Sequence, residues 1–554
     1  MAMLNGFAQR TDFHLRRLLG RVDPILLAAM VVGLVLRGWQ FGSIPPGLNQ
    51  DEASTAYDAF SLVHYGVDRH GIHFPVVLIS WGSGMYALAS YVEAPFIRLF
   101  GLSVWSARLP FLLAGLAALP LFFGLLRDTT DRRTARIGVV LLAASPWHVM
   151  VSRWGLDSNL LPFVFLVATV LLVRSAARPR LLVWAALVFG LALYSYGTAY
   201  LVVPVFLLLA LIHGVRYRLW PVRTILWAAA TFVLVGLPVG LFLAVNSFGW
   251  QSIRTPILSI PRLTGVPRFQ TMGNLHLFSA EFLRQAATNL GQAAELFRSQ
   301  DDGLIWNAIP GYGILYGLST LLALAGLALL VGKYFGPARR ASFPLLAWSL
   351  AALVLMAFVS PNINRANVAM LPFIFCVAIA SSLLWQYRSL AILLCVLLAG
   401  SFAGFVGAYF GTYRQAAAEP FFASFGEAIR YASEQTKGDV CVTDHVNMPY
   451  IFVLFYTKED PRLFERTVHY DNLGAEFQSV SSFGRYRFGI GRCANSASAV
   501  VARADEAASL GRDQFAVKEF ERFVVLLRPN RDSDVGLRGP DPAELPENPR
   551  RTDR

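Results

Sequence analysis

Long apolar runs alternate with short polar segments over most of the chain. Crossing the hydrocarbon core of a bilayer takes roughly 17–25 apolar residues in a helix. Runs of about that length lie at approximately 24–42, 105–126, 136–153, 160–176, 180–197, 199–214, 223–246, 309–331, 341–360, 367–387 and 389–411. The pattern therefore predicts a polytopic α-helical membrane protein with about 11 transmembrane helices.

One further apolar run, 84–102, contains Glu93, Pro95 and Arg98. Counting it as a span would invert the topology of everything after it. If it stays outside the bilayer core, the basic segments 127–136, 174–180, 213–223, 332–340 and 386–388 all fall on the inner side, as the positive-inside rule expects. We therefore predict that 84–102 forms a juxtamembrane helix in the first outer loop.

Composition agrees with this class. Hydrophobic residues make up 55% of the chain and charged residues 15%, whereas soluble domains carry about a quarter charged residues. The formal net charge of +13 comes largely from the short inner loops, so it indicates membrane topology rather than a nucleic-acid partner.

Three larger segments are predicted to face outward. They are 43–104, 247–308 and the region beyond 411. The transmembrane domain then covers 1–411, and alternating patterns predict a small extracytoplasmic α/β domain at 412–530. The remainder, 531–554, is rich in Pro, Arg, Asp and Glu and is predicted to be disordered. Cys441 and Cys493 both lie in the outer domain, and whether they form a disulfide is left open.

The acidic pair Asp51-Glu52 follows the first span and opens an amphipathic stretch. A carboxylate at the membrane surface can deprotonate a hydroxyl acceptor while a lipid-borne donor stays in the bilayer. The alternative is structural, because Asp is a favoured helix N-cap and Glu suits the first turn. A capping residue can also hold a catalytic carboxylate in place, so the two interpretations are compatible.

Outward arginines are the next candidates. Arg153 lies close to Asp157 and Asn159, and Arg365 lies before the tenth predicted span, on a side where basic residues are scarce. A guanidinium can bind phosphate oxygens through paired hydrogen bonds, so both are candidate lipid-phosphate ligands, with anchoring to ordinary headgroups as the alternative. Arg108 is predicted either to extend to the interface or to pair with Asp51 or Glu93.

Other polar clusters give weaker indications of function. His64, His70 and His73 lack the three or four convergent ligands of a zinc site, so no metal ligand is assigned, although a divalent metal is left open. Tyr194, Tyr196 and Tyr200 suggest an interfacial aromatic belt, with sugar stacking as the second interpretation. The sequence contains no Walker loop and no GxSxG elbow, so nucleotide and serine-hydrolase chemistry find no support.

Several segments, taken in order, resemble the GT-C superfamily of membrane glycosyltransferases. They are Asp51-Glu52-Ala53, Phe100-Gly101-Leu102-Ser103, Ala107-Arg108-Leu109-Pro110, Ser145-Pro146-Trp147 and Ser152-Arg153-Trp154-Gly155-Leu156-Asp157. The branch is that of protein O-mannosyltransferases and aminoarabinose lipid A transferases (glycosyltransferase families 39 and 83). The resemblance covers residues 24–240 well and the remainder by architecture.

The resemblance implies transfer of a sugar from a polyprenyl-phosphate donor to a hydroxyl acceptor. It implies that Asp51 is the general base and that Asp157 and Arg108 belong to the site. Relatives carry a His/Lys-Pro-Pro-Leu element near the donor phosphate, where this chain has His73-Phe74-Pro75-Val76-Val77-Leu78, so His73 is the nearest candidate. Direct displacement inverts the anomeric centre, whereas a double displacement would need Glu52 or Asp157 as nucleophile.

Two other functions compete with this one. A transporter or flippase would account for the many spans, but paired halves with matching broken helices are not evident. A polymerase or ligase of lipid-linked saccharides would share the donor. We expect an enzyme of the bacterial plasma (inner) membrane, with its site and C-terminal domain outside and membrane lipids around it. Its acceptor, whether glycan, lipid or protein, and its sugar are left open.

Overall fold

The computed structural model describes residues 23–265, 267, 279–336 and 339–529. Over residues 23–410 its helices are α1 (Pro24–Gly38), α2 (Gln50–Tyr65), α3 (Leu88–Phe100), α4 (Val104–Thr129), α5 (Arg132–Ala144), α6 (Pro146–Val151), α7 (Leu161–Ser175), α8 (Leu181–Ala192), α9 (Ala199–Arg216), α10 (Val222–Phe248), α11 (Ala280–Ser299), α12 (Ser319–Phe335), α13 (Arg339–Phe358), α14 (Asn367–Leu384) and α15 (Arg388–Phe410). Two short antiparallel pairs join β1 (Val77–Leu78) to β2 (Met85–Tyr86) and β3 (Ile253–Arg254) to β4 (Ser259–Ile260).

The polytopic helical fold is confirmed. Seven of the described helical segments are long and apolar enough to cross a bilayer, and α1, α8 and α12 are apolar but shorter. Each of the 11 predicted runs contains at least one helix, although the number of spans stays a prediction. The protein is thus an integral membrane protein by the length and apolar character of its helices.

Two predicted spans are shorter or interrupted for local reasons. The run 136–153 breaks into α5 and α6 at Ser145, whose backbone is extended, as residues before proline favour, and Pro146 takes the first position of α6. Ser145 accepts a hydrogen bond from the His148 N–H and caps α6. The run 309–331 becomes helical only at Ser319, after Gly311 and other residues with positive φ.

The basic loops gather at one end of the helix bundle. The Arg132 Nε lies 2.8 Å from the Asp23 Oδ2, and Arg136 contacts the same carboxylate at 3.0 Å. Nearby in sequence, the Arg174 Nε lies 3.0 Å from the Asp128 Oδ2. These ion pairs join loops far apart in the chain, as expected if they share one membrane face.

A helix of 13 residues, α3, lies within the predicted run 84–102, and its placement beside the membrane in an outer loop stays a prediction. It packs against α2 and α4, and its Glu93 is buried and accepts a hydrogen bond from the Thr55 hydroxyl. Burial of Glu93 raises the pKa of its carboxyl group, since the charged form loses hydration there.

The C-terminal region folds around one seven-stranded sheet. Its elements are α16 (Tyr413–Ala416), α17 (Phe425–Gln435), β5 (Val440–Val442), α18 (Pro449–Thr457), α19 (Pro461–Thr467), β6 (His469–Tyr470), β7 (Val480–Phe483), β8 (Tyr486–Phe488), α20 (Ile490–Cys493), β9 (Ala499–Arg503), α21 (Ala504–Ala508), β10 (Ala516–Glu519) and β11 (Phe523–Leu527). The strand order is β10-β11-β9-β5-β8-β7-β6, with β5 parallel to both β8 and β9. The predicted α/β layer is therefore confirmed, and the tail predicted to be disordered, 531–554, lies outside the described residues.

Cys441 and Cys493 form a disulfide, which answers the question that the sequence left open. The bond joins the central strand β5 to the end of α20 and closes a separation of 52 residues. Cys376 is buried and unpaired in α14.

The C-terminal domain shares its core with the first outer loop. Helix α18 packs against α2, and the Tyr57 hydroxyl donates a hydrogen bond of 2.5 Å to the Glu459 carbonyl. On the other side of the contact, the Gln478 N–H donates to the Trp81 carbonyl at 2.9 Å. One continuous apolar cluster includes residues of both parts. Residues on both sides of the domain boundary predicted at 412 therefore belong to one apolar core.

Candidate functional site

The acidic pair lies in the first turn of helix α2. The residue that caps this helix is Asn49, two positions before the predicted cap, Asp51. The Asn49 side chain accepts a hydrogen bond from the Asp51 N–H at 3.0 Å. Glu52 stands at the third helical position and accepts from the Asn49 N–H, which completes a capping box. The suggestion that Asp51 itself caps the helix is wrong, and its carboxylate is left for other contacts.

Glu52 is buried among donors. The Arg108 guanidinium binds it through two nitrogens, at 2.8 Å and 2.9 Å, and the Gly155 N–H donates to it at 2.6 Å. Arg108 also donates to the carbonyls of Pro45 and Gly47. The partner of Arg108 is therefore Glu52, rather than Asp51 or Glu93. Since a bidentate pair has strict geometry, this contact holds the segment that leads into α2.

The Asp51 carboxylate has a different partner, and the residue is half-buried. The indole N–H of Trp81 donates to its Oδ1 at 3.0 Å. The Arg69 guanidinium lies over the Trp81 ring, 5.0 Å from its centroid, and pairs with Asp58 at 3.2 Å. Cation–π and ion-pair contacts therefore orient the tryptophan that holds the carboxylate.

Asp51 opens into a cavity of about 340 Å³. The cavity lies where the outer loop, the membrane domain and the C-terminal domain meet. Its lining residues are Gln50, Asp51, Trp81, Tyr86, Tyr196, Arg365, Asn447, Met448, Glu476 and Phe477. A pocket of this size, with aromatic walls and a few convergent polar groups, is the usual form of a small-molecule site.

Arg365 is the predicted phosphate ligand that the fold brings to Asp51. Its side chain is exposed and lines the same cavity. Its Nη1 donates to the Ser360 carbonyl at 3.2 Å, and among the described residues no hydrogen bond from Nε or Nη2 is found. The guanidinium thus keeps donors in a cavity whose lining also includes the carboxylates of Asp51 and Glu476.

Arg153 has a different environment. It is fully buried, and its two terminal nitrogens donate to the carbonyls of Leu36, Arg37, Gln40 and Ile44 at 2.8–3.2 Å. These carbonyls belong to the end of α1 and the loop after it, where backbone acceptors lack helical partners. All four terminal N–H groups are used in this way, so the arrangement stabilises the end of α1, and the Arg153 side chain does not line the Asp51 cavity.

Asp157 and Asn159 lie in a buried turn before α7. The Asp157 carboxylate accepts from the Ser158 N–H, and the Asn159 amide oxygen accepts from Asn367 at 3.2 Å. Asn367 in turn accepts from the indole N–H of Trp147 at 2.7 Å. These contacts join α6, α7 and α14, and none of these side chains is among those that line the Asp51 cavity.

His73 is exposed and also outside the lining of that cavity. His70 is half-buried, its Nε2 lies 3.2 Å from the Ser80 carbonyl, and desolvation lowers the pKa of its imidazole to about 3. Within the described parts of the chain, the three side chains whose metal-ligating atoms lie close together are Asp444, His445 and Glu506. They belong to the C-terminal domain, not to the histidine-containing loop considered from the sequence.

Sequence reasoning missed the residues that hold Asp51. Trp81 and Arg69 lie 30 and 18 positions after the acidic residue, in a loop whose fold no periodicity predicts. The tyrosines gave a partial signal, because Tyr196 lines the cavity and packs edge-to-face against Tyr86. Of the two interpretations offered for them, the position of Tyr196 fits contact with a sugar ring as well as an interfacial belt.

Comparisons with known proteins agree with the sequence resemblance. Residues 87–242 match the model of the family "Dolichyl-phosphate-mannose-protein mannosyltransferase". Two proteins of Bacillus subtilis (strain 168), "Putative mannosyltransferase YkcB" and "Putative mannosyltransferase YycA", are 36% and 29% identical over 118 and 126 residues. Those matches cover 21% and 22% of this chain and only 16% and 18% of the relatives, so the chain spans less than a fifth of their length.

One solved structure extends the likeness to almost the whole chain. It is ArnT from Cupriavidus metallidurans bound to undecaprenyl phosphate, with a TM-score of 0.53 at 14% identity, covering 92% of this chain and 98% of ArnT. At that identity the match concerns the fold. Together, the fold over 92% of the chain and the family match over residues 87–242 confirm that this chain resembles the GT-C membrane glycosyltransferases.

Proposed function

We propose that this protein is a membrane glycosyltransferase that moves a sugar from a polyprenyl-phosphate donor to a hydroxyl acceptor at the extracytoplasmic surface of a bacterial plasma (inner) membrane. The observation that carries the proposal is the cavity that Asp51 and Arg365 share. A base and a phosphate ligand that line one cavity are what direct displacement of a phosphate by a hydroxyl requires.

The reaction follows from these two groups. The acceptor hydroxyl loses its proton to the Asp51 carboxylate as its oxygen attacks the anomeric carbon. The bond between that carbon and the phosphate oxygen breaks, and the phosphate leaves with the electron pair. Arg365 donates to the phosphate oxygens as their charge develops, which stabilises the transition state more than the ground state. One displacement of this kind inverts the anomeric centre.

Glu52 is excluded from this mechanism as a nucleophile by its contacts. Its oxygens accept from Arg108, Gly155 and Asn49, and the side chain is fully buried. We assign Glu52 and Arg108 to positioning of the loop that carries Asp51. Arg153, Asp157 and Asn159 act in the same indirect way, through the packing of α1, α6, α7 and α14.

The relatives supply the class of substrate. ArnT was solved with undecaprenyl phosphate, and the matched family is described as using dolichyl-phosphate mannose. A polyprenyl phosphate therefore suits the donor, with its tail among the membrane helices and its phosphate at Arg365. The family match also makes mannose the first sugar to test.

The test uses the full chain in lipid nanodiscs with polyprenyl-phosphate sugars and native membrane acceptors. Release of free polyprenyl phosphate is followed by mass spectrometry for the wild type, Asp51→Asn and Asp505→Asn, an exposed aspartate of α21 that serves as the matched control. We expect release by the wild type and the control, and its loss in Asp51→Asn.

The other outcomes are equally informative. Equal release by Asp51→Asn would remove Asp51 from the mechanism. If the wild type releases nothing from any donor but moves a labelled lipid-linked sugar between leaflets, the transporter or flippase alternative holds instead. Elongated lipid-linked chains among the products would indicate the polymerase or ligase alternative.

A further inference from the structure

A second cavity adjoins the first. It has a volume of about 540 Å³ and lies on the C-terminal domain. Asn447 and Met448 line both cavities. The loop after β5, which contains these two residues, is therefore the shared wall between the two cavities. Met448 has a φ of 53°, a conformation that L residues rarely adopt and that is concentrated at functional sites.

The position in the sheet is one where ligands bind. Because β5 is parallel to β8 and β9, the carboxyl ends of these three strands lie at one edge. Asp444 follows β5, and Arg492 follows β8 in α20. In open α/β sheets the crevice outside the carboxyl ends of parallel strands is the usual binding position.

The polar side chains of this second cavity converge on Arg492. Its Nη1 donates to the Asp471 Oδ2 at 3.1 Å, and its Nη2 lies 3.8 Å from the Asp444 Oδ2. Gly489 makes this approach possible: its φ is +99°, and an added Cβ would lie 2.8 Å from the Arg492 Nε and 3.0 Å from the Asp444 Oδ2. Ser479 and Asn447 add a hydroxyl and an amide.

The chemistry of the lining selects a class of ligand. Two carboxylates and one guanidinium line the cavity, and the imidazole of His445 in the same lining lies 3.1 Å from a further carboxylate, that of Glu506. Acidic groups are therefore in excess, which disfavours an anionic ligand. Carboxylate, guanidinium, amide and hydroxyl groups together offer both acceptors and donors at close spacing. A neutral molecule with many adjacent hydroxyl groups pairs with such a set most completely.

We propose that the cavity at Asp444, Asp471 and Arg492 binds the acceptor, and that the acceptor is a neutral saccharide. An extended saccharide held there would pass the loop of Asn447 and Met448 and present a hydroxyl in the Asp51 cavity. The assignment as acceptor site rests on the proposed function, whereas binding of a neutral saccharide does not depend on turnover.

The test measures binding by the full chain in nanodiscs to immobilised oligosaccharides. One set contains neutral hexose oligosaccharides, and a matched set carries carboxylate or phosphate groups. The proteins are the wild type, the double variant Asp444→Asn/Arg492→Gln and the control Lys518→Gln, an exposed residue of β10 at the far edge of the sheet. Asp444→Asn alone is included as the milder variant should the double variant fail to fold.

We expect the wild type and Lys518→Gln to bind neutral oligosaccharides with similar affinity. Loss of hydrogen bonds to charged groups should raise the Kd of the double variant by roughly tenfold or more. Undiminished binding by the folded cavity variants would overturn the proposal, as would binding of the anionic set alone or of neither set. Because binding is measured without donor, a failure of sugar transfer and a failure of this site give different results.

Discussion

Glu52 and Arg108 form a bidentate ion pair in which both side chains are fully buried. The same guanidinium binds the carbonyls of Pro45 and Gly47, just before the helix that carries Asp51. Adjacent acidic residues thus have separate tasks: one holds the loop, and the other faces the cavity.

Glu52→Gln should destabilise the protein, because it leaves the Arg108 charge buried without its counter-charge. Breaking a buried pair in this way typically costs about 3–5 kcal/mol. Thermal unfolding in nanodiscs should show a clear decrease in melting temperature for Glu52→Gln and little change for Asp51→Asn. A melting temperature of Glu52→Gln equal to that of the wild type would contradict the structural role given to this pair.

Trp81→Phe should lower the rate of the sugar transfer proposed for Asp51 while leaving the fold intact. The substitution keeps an aromatic ring under Arg69 but removes the N–H that donates to Asp51. A hydrogen bond to a charged group contributes about 1.5–3 kcal/mol, so kcat should decrease roughly 10- to 100-fold. Trp39→Phe, whose ring is 61% exposed, is the matched control and should behave as the wild type. An unchanged kcat in Trp81→Phe would show that this contact does not position the base.

Asp68 and His70 should oppose each other in the dependence of stability on pH. Burial, with the negative charge of Asp58, raises the pKa of Asp68 from 3.8 to about 7. Burial, with the charge of Arg69, lowers the pKa of His70 from 6.5 to about 3. As pH rises from about 4 to about 6.5, the titration of Asp68 therefore lowers the free energy of unfolding, whereas the titration of His70 raises it.

Asp68→Asn keeps the side-chain oxygen that accepts from the N–H groups of His70 and Ile72 but removes the titrating group. Its free energy of unfolding should then rise with pH over that window by about 1 kcal/mol per pH unit relative to the wild type, since one proton is linked to unfolding. Chemical denaturation at a series of pH values measures this slope. Parallel profiles for the two proteins would refute the assignment.

Removal of the Cys441–Cys493 disulfide should destabilise the C-terminal domain. Its 52-residue separation corresponds to a loss of about 4 kcal/mol in the chain-entropy model. The double variant Cys441→Ser/Cys493→Ser should be cleaved in this domain at lower protease concentrations than the wild type. Cys395→Ser, which changes an exposed unpaired cysteine, is the control and should leave the cleavage pattern unaltered. Equal protease resistance of the double variant and the wild type would contradict the prediction.

Several properties of this protein followed from the sequence because they depend on neighbouring residues alone. The length of an apolar run decides whether a helix can cross a bilayer, and the basic loops indicate which ends of the helices lie together. The strands at 440–442 and 523–527 were predictable from their β-branched and apolar residues for the same reason.

The choice of partners for the charged residues was decided only by the tertiary structure. Arg153 and Arg365 look alike in sequence, yet one binds carbonyls at the end of α1 and the other lines the Asp51 cavity. Trp81 reaches Asp51, and Asn447 reaches the same cavity from almost 400 residues further along the chain. Such contacts depend on how segments far apart in sequence pack together. Local patterns of hydrophobic and polar residues predict helices and strands but not which of them come into contact.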